Sequence, residues 1–184
     1  MTTLAIRKSG PDEVEPLHAI LTQCGQDLQA RFGLNHWVPP YPLELMRKSA
    51  QERDVYAIYD GAELVATFTT GTVPPPYYLT IPGLWESWDA AGEPALYLNR
   101  LAVRPELQGR GIGTWCMKTI ERMAQAEGCK AVRFDAYDKH LKLLEFYDGL
   151  AYHRRGVFSF FTKLHGDTGM VCFEKLSYEF TIEE

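Results

Sequence analysis

Residues 95–114, ALYLNRLAVRPELQGRGIGT, decide the fold. An apolar strand runs into a short polar loop, the loop becomes a glycine-rich turn, and the turn opens into a helix. Such a junction aims free backbone N–H groups and the positive end of a helix dipole at one point. That point suits a phosphate.

The spacing narrows the ligand. A dinucleotide fingerprint needs G-x-G-x-x-G; Gly109 and Gly111 fit its first two places, but the third falls on Thr114. A P-loop needs Gly-Lys-Ser/Thr at the helix start, and Gly113-Thr114 has no lysine. What remains is Gln108-x-x-Gly111-x-Gly113 after Leu101-Ala102-Val103.

Here the chain resembles the GNAT superfamily of acyl-CoA-dependent N-acetyltransferases. A second stretch, AVRFDAYDKHLKLLEFYDGLAY at 131–152, stands in register with the first. Tyr147 falls on that family's tyrosine, and Leu150 and Tyr152 fall on its Leu and Phe places. His140 stands where an asparagine is usual, and Ala151 where a glycine is usual. The matching blocks cover about the last half of the chain.

The bulk numbers set wider bounds. A chain of 184 residues fits one domain, 1–184. A net charge of −5 argues against a nucleic-acid partner and weakly suits a cationic substrate. Cys24, Cys116, Cys129 and Cys172 form no C-x-x-C pair, which leaves no zinc or thioredoxin motif and no expected metal. Buried thiols in a reducing cytoplasm are the simple reading. Charges at Arg7, Lys8, Asp12 and Glu13 interrupt any apolar start, so no signal peptide is expected. Leu64 to Trp85 is uncharged but contains Pro74, Pro75, Pro76 and Pro82. A membrane helix could not satisfy its backbone there, so a strand followed by an extended loop is expected.

Periodicity gives the remaining elements. A strand is expected at Leu4–Lys8, then a helix on the stripe Val14, Leu17, Ile20, Leu21, Cys24 with a stop at Gly25. Leu28–Phe32 reads as a further helical turn, Asn35–Pro42 as loop and Leu43–Arg53 as helix. Val55–Tyr59 and Glu63–Thr70 form a hairpin about Asp60-Gly61, and Gly71–Pro94 is a long loop. Strand Ala95–Val103, helix Gly111–Glu127, strand Ala131–Ala136 and short helix His140–Tyr147 follow. The two strands should be parallel, through a right-handed crossover. Arg155–Phe161 and Gly169–Ser177 close the chain as antiparallel partners. This is a mixed α/β chain. The resemblance implies a mostly antiparallel sheet, a splayed central parallel pair and helices on both faces.

The resemblance also implies roles. Acetyl-CoA is the co-substrate, its pyrophosphate held by main-chain N–H groups of Gly109, Arg110, Gly111, Ile112, Gly113 and Thr114. Gln108 and Arg110 add side-chain contacts, although an arginine in such a loop is as readily solvated. Leu101, Ala102 and Val103 pair with pantetheine as a strand pairs with a sheet edge. His140 touches the pantetheine arm or is a solvated residue at a helix start. Tyr147 is the general acid at the thiolate, or else a core aromatic beside Phe146. The amine attacks the thioester directly in a ternary complex.

No general base emerges. Tyr97 and Asn99 stand where many relatives carry a glutamate, and neither is a base near neutral pH. His36, Glu86, Asp89 and Glu93 lie in loops. Trp37, Trp85 and Trp88, with Tyr97 and Asn99, are expected to line the site of a small-molecule or peptide amine. Packing in the core, or a contact in a homodimer, would be the other uses of these tryptophans. Two rivals stand beside this reading: a degenerate acyl-CoA-binding sensor or scaffold, and a dinucleotide-binding oxidoreductase in which Asp135 binds a ribose.

Overall fold

The chain's structure, a computed structural model, describes residues 3–81, 83–85, 94–162 and 166–181. Strand β1 spans Leu4–Ser9, helix α1 Glu15–Phe32, helix α2 Leu43–Glu52, strand β2 Asp54–Asp60 and strand β3 Glu63–Gly71. Strand β4 spans Ala95–Val103, helix α3 Ile112–Ala126, strand β5 Ala131–Tyr137 and helix α4 Leu141–Gly149. Strands β6 (His153–Thr162) and β7 (Gly166–Leu176) end the sheet.

The strand order is β1-β2-β3-β4-β5-β7-β6. The β1–β2, β2–β3, β5–β7 and β6–β7 pairs are antiparallel, and β4–β5 is parallel. The parallel register joins Ala95–Tyr97 to Ala131–Arg133 and stops there, while β4 runs on to Val103 and β5 to Tyr137. This is the mixed sheet with a parallel β4–β5 pair that was expected.

Two compact units make up the chain. The first comprises Met1–Thr70, Asn99–Gly113 and Lys163–His165; the second comprises Gly71–Leu98, Thr114–Thr162 and Gly166–Glu184. In the first unit, Leu17, Ile20, Leu21 and Cys24 of α1 pack with Met46 of α2, Val55 and Ala57 of β2 and Ala102 of β4. The stripe read from the sequence is therefore the buried face of α1.

Gly25 does not stop that helix, which runs to Phe32 and ends on Gly33 at φ 67°. A Cβ on Gly25 would stand 2.6 Å from the Trp37 carbonyl oxygen. Glycine is needed here for close approach of the Asn35–Pro42 loop, a tertiary reason that outweighs its poor helix propensity.

In the second unit one face of β5 and β7 stacks Phe134 on Phe173, with the Tyr147 ring tilted against both and the Tyr152 ring edge-on to Phe134. Cys116, Met117, Ile120 and Ala124 of α3 are buried. The Lys175 ammonium pairs with Glu121 at 2.9 Å, and the Tyr152 hydroxyl donates to the same carboxylate. The other face packs Tyr78, Leu84, Trp85, Ala95, Tyr97, Ala131, Cys172 and Leu176. No helix among the described residues is long and apolar enough to cross a membrane.

Candidate active site

The turn after β4 is built by its own backbone. A 3-10 turn at Pro105–Leu107 leads from the strand, and α3 starts at Ile112. Gly109 has φ 78° and Gly111 φ 84°, a left-handed region that costs other L-residues free energy. A Cβ built at either glycine meets nothing within 4 Å. The glycines are thus required by backbone angle, and the space beside them is open. Left-handed residues close to the free N–H groups of a helix start form a concavity suited to an anion.

Gln108 donates from Nε2 to the Val103 carbonyl at 3.1 Å, which ties the turn to the end of β4. The Cys24 thiol donates to the same oxygen at 3.2 Å. The Val103 carbonyl is thus already engaged from two sides. Arg110 is exposed. Leu101 is half-buried, and Ala102 is fixed in the core.

Asn99 is half-buried in β4, next to Arg100, which takes φ 53°. The Arg100 guanidinium donates to the Tyr41 hydroxyl at 2.7 Å and to Thr69 Oγ1 at 3.4 Å. Trp37, at φ 62°, is partly buried against the first unit's core and stands 4.8 Å from the His36 ring.

Tyr147 lies in the second unit, on α4. It is 4% exposed, with its ring 4.5 Å from Phe134 and 5.3 Å from Phe173. Its main-chain carbonyl accepts from Leu150 and Tyr152 at the helix end. Burial, then the Asp135 charge, raises its phenol above the ordinary tyrosine value, so the hydroxyl keeps its proton at neutral pH. His140 is the residue before the helix, and its carbonyl accepts from Leu143 and Leu144. Ala151 has φ 60°. The conformation that favours glycine persists here although the glycine is replaced.

Tyr97 and Trp85 belong to the second unit's core. The buried Arg133 donates to Glu174 at 3.0 Å and to the Tyr97 hydroxyl at 3.2 Å, and its guanidinium lies 5.2 Å from the Trp85 ring. Arg155 donates to the second Glu174 oxygen at 2.9 Å. Trp85 is 3% exposed, and its indole N–H is buried without a hydrogen-bond partner among the described residues. Trp88, Glu86, Asp89 and Glu93 lie outside the described residues.

Asp135, read from the sequence only as a ribose-binding acid, has a different setting. Its Oδ2 accepts from the Tyr77 hydroxyl at 3.0 Å and from the Tyr78 hydroxyl at 2.5 Å. Burial raises its carboxyl above the usual aspartate value, and the two phenol hydrogen bonds offset part of this. The sequence signal for it was faint: one acid inside an otherwise apolar strand.

The four cysteines are free and buried. Burial pushes Cys24, Cys116 and Cys172 up to about 12 and Cys129 to about 11, so all four remain thiols. Among the described residues no group of three His, Cys, Asp or Glu side chains is placed to hold a metal ion.

A model of the acetyltransferase (GNAT) family matches residues 21–152. The chain belongs to this family. The match takes in the turn, α3, β5, α4 and Tyr147, and it removes the dinucleotide reading. Comparison with curated protein sequences finds no match. Solved structures agree on the fold at low identity. The Escherichia coli ribosomal-protein-S18-alanine N-acetyltransferase has TM-score 0.67 and 10% identity, covering 99% of this chain and 97% of that one. Arabidopsis thaliana NAA60, solved with a bisubstrate analogue, has TM-score 0.62 and 14% identity, with 95% and 99% covered. A GNAT family acetyltransferase from Elizabethkingia anophelis, solved with acetyl-CoA, has TM-score 0.60 and 13% identity, with 94% and 97% covered.

Proposed function

We propose that this GNAT chain transfers an acetyl group from acetyl-CoA to a primary amine, by direct attack in a ternary complex. The observation that carries this reading is the turn at Gly109–Gly113. Its left-handed glycines leave open the space where side chains would otherwise stand, and the first N–H groups of α3 begin beside it. Those features fit a pyrophosphate. Bound acetyl-CoA would supply an activated acyl group as a thioester.

The chain's residues then divide the work. Main-chain N–H groups of Gly109, Arg110, Gly111, Ile112, Gly113 and Thr114 bind the diphosphate. Gln108 braces the turn through its bond to Val103 rather than reaching outward. Leu101, Ala102 and Val103 offer the strand edge to pantetheine, Val103 through its N–H. His140 stands by the same arm at the start of α4. Tyr147 keeps a proton on its hydroxyl and donates it to the departing thiolate. Trp37 and Asn99 from the first unit, and Tyr97, Trp85 and Trp88 from the second, remain the proposed neighbours of the acceptor. Four free, buried thiols fit a reducing compartment, which favours the cytoplasm.

Tyr147→Phe tests the chemistry. It removes one hydroxyl and little volume, so turnover should fall about 10²-fold with acetyl-CoA affinity kept. Unchanged turnover would return Tyr147 to a packing role. Binding of acetyl-CoA without turnover of any amine would instead favour the sensor.

A further inference from the structure

The face of the sheet that carries Asp135 holds an arrangement of groups that the acetyl-transfer chemistry has not used. Registers pair Asp135 with Cys172, and Cys172 with Gly156. Directly opposed residues share a face, and so do alternate residues of one strand. Asp135, Cys172, Gly156, Phe158 and Phe160 therefore lie on one side. The 3-10 turn Pro76–Thr80 lies against that side through Tyr77 and Tyr78.

Three rings form a near-parallel stack there. Tyr77 lies 5.3 Å from Phe158 and 6.4 Å from Phe160, and Phe158 lies 5.9 Å from Phe160, all within 27° of parallel. Tyr77 and Phe160 each keep 38% of their surface exposed. Flat apolar surface left uncovered beside a polar group is the composition of a small-molecule site.

The carboxylate beside the stack is only half used. Both phenols donate to Oδ2, and Oδ1 takes no hydrogen bond from the described residues. Asp135 is also the next residue on its face after Arg133, the last β5 residue paired with β4.

We propose that Asp135 binds the ammonium group of the acceptor while Tyr77, Phe158 and Phe160 take a flat apolar group attached to it, so that the substrate class is an arylalkyl primary amine. The proposal rests on the acetyltransferase reading. A carboxylate matches the charge, the partly exposed ring cluster offers apolar aromatic surface to a ring, and aromatic side chains also favour a nearby cation. Tyr77 and Tyr78 hold Asp135 in place through Oδ2 and leave Oδ1 for the amine. The amine-binding side chains then include those of the Tyr77–Tyr78 turn, β5 and β6.

Calorimetric titration of the purified chain with 2-phenylethylamine and with butylamine, each with and without acetyl-CoA, decides this. The aryl amine should bind at least about tenfold more tightly than butylamine. Asp135→Asn should weaken both amines at least about tenfold, since it removes the charge. Phe160→Ala, at a ring that keeps 38% of its surface exposed, should weaken 2-phenylethylamine alone, with a thermal melt confirming that the variant is folded. Neither variant should alter acetyl-CoA affinity. Equal affinity for the two amines, no binding of either, or an Asp135→Asn variant that binds as the parent does would each overturn the proposal. Loss of acetyl-CoA binding by the parent would overturn the acetyltransferase reading instead, and the amine titrations would still decide the role of Asp135.

Discussion

The turn at Gln108–Gly113 and the face around Asp135 are made in opposite ways. The turn is contiguous in sequence, and its working parts are main-chain N–H groups and glycine angles. The face is assembled from a 3-10 turn, β5 and β6, and its working parts are side chains. A backbone site recognises what every member of the family shares, because any residue can supply an N–H but only certain angles aim it. A side-chain site recognises what differs between members. The first kind leaves a fixed spacing in the sequence; the second leaves scattered residues whose meeting depends on strand register.

Substitutions should break the two regions differently. The largest expected effect concerns Trp85, which lies under the Asp135 face as core. Trp85→Ala should cost about 3–5 kcal/mol of stability, the range for a buried aromatic truncated to alanine. Chemical denaturation measures it. A loss below about 1 kcal/mol, with a raised amine KM, would restore Trp85 to a direct role at the acceptor.

Asp135 gives a subtler, signed effect. Its carboxyl is raised in the fold, so below the ordinary aspartate value both states are protonated and nothing opposes folding. As pH rises through the raised folded value, the fold must bear an ionised, desolvated group, and stability falls. Tyr77, Tyr78, Tyr147 and Cys172 face or sense this group, and none of them is a base that titrates in that window. Asp135→Asn should therefore melt no lower than the parent at neutral pH, with an advantage that shrinks toward pH 4. Thermal melts across that range check it. A variant markedly less stable at neutral pH would make Asp135 a structural anchor, because a retained liability is the mark of a binding group.

The smallest effect belongs to the family stretch around Tyr147. Ala151 holds φ 60°, where glycine is at ease. Ala151→Gly should stabilise by about 0.5–1 kcal/mol, the relief of left-handed strain less the added entropy of the unfolded chain. A melting-point fall would mean that the Ala151 methyl packs usefully.

The same contrast explains what could be read without coordinates. Strand β4 spans Ala95–Val103 as expected, and α3 and β5 fall within about a residue of their expected ends, because strong apolar periodicity and Gly128 punctuate them. Tyr147 is singled out by its register with a motif. Gly25 misled because the contact it serves, the Trp37 backbone, comes from a loop twelve residues away. The burial of Tyr97 and Trp85 was not legible, since it depends on Arg133 and Glu174 meeting across β5 and β7. Nor was the company of Asp135: Tyr77 and Tyr78 lie 58 and 57 residues away in the chain.

The central claim is that a left-handed glycine turn binds acetyl-CoA, and one pair of calorimetric titrations tests it most directly. The parent chain should bind acetyl-CoA with one-to-one stoichiometry. Gly111→Val places a branched side chain at φ 84° in space that is now open, so affinity should fall by at least about 10²-fold, while circular dichroism shows a folded chain whose melting point drops only by the strain of the left-handed angle. Equal affinity in parent and variant, with both folded, would contradict the account.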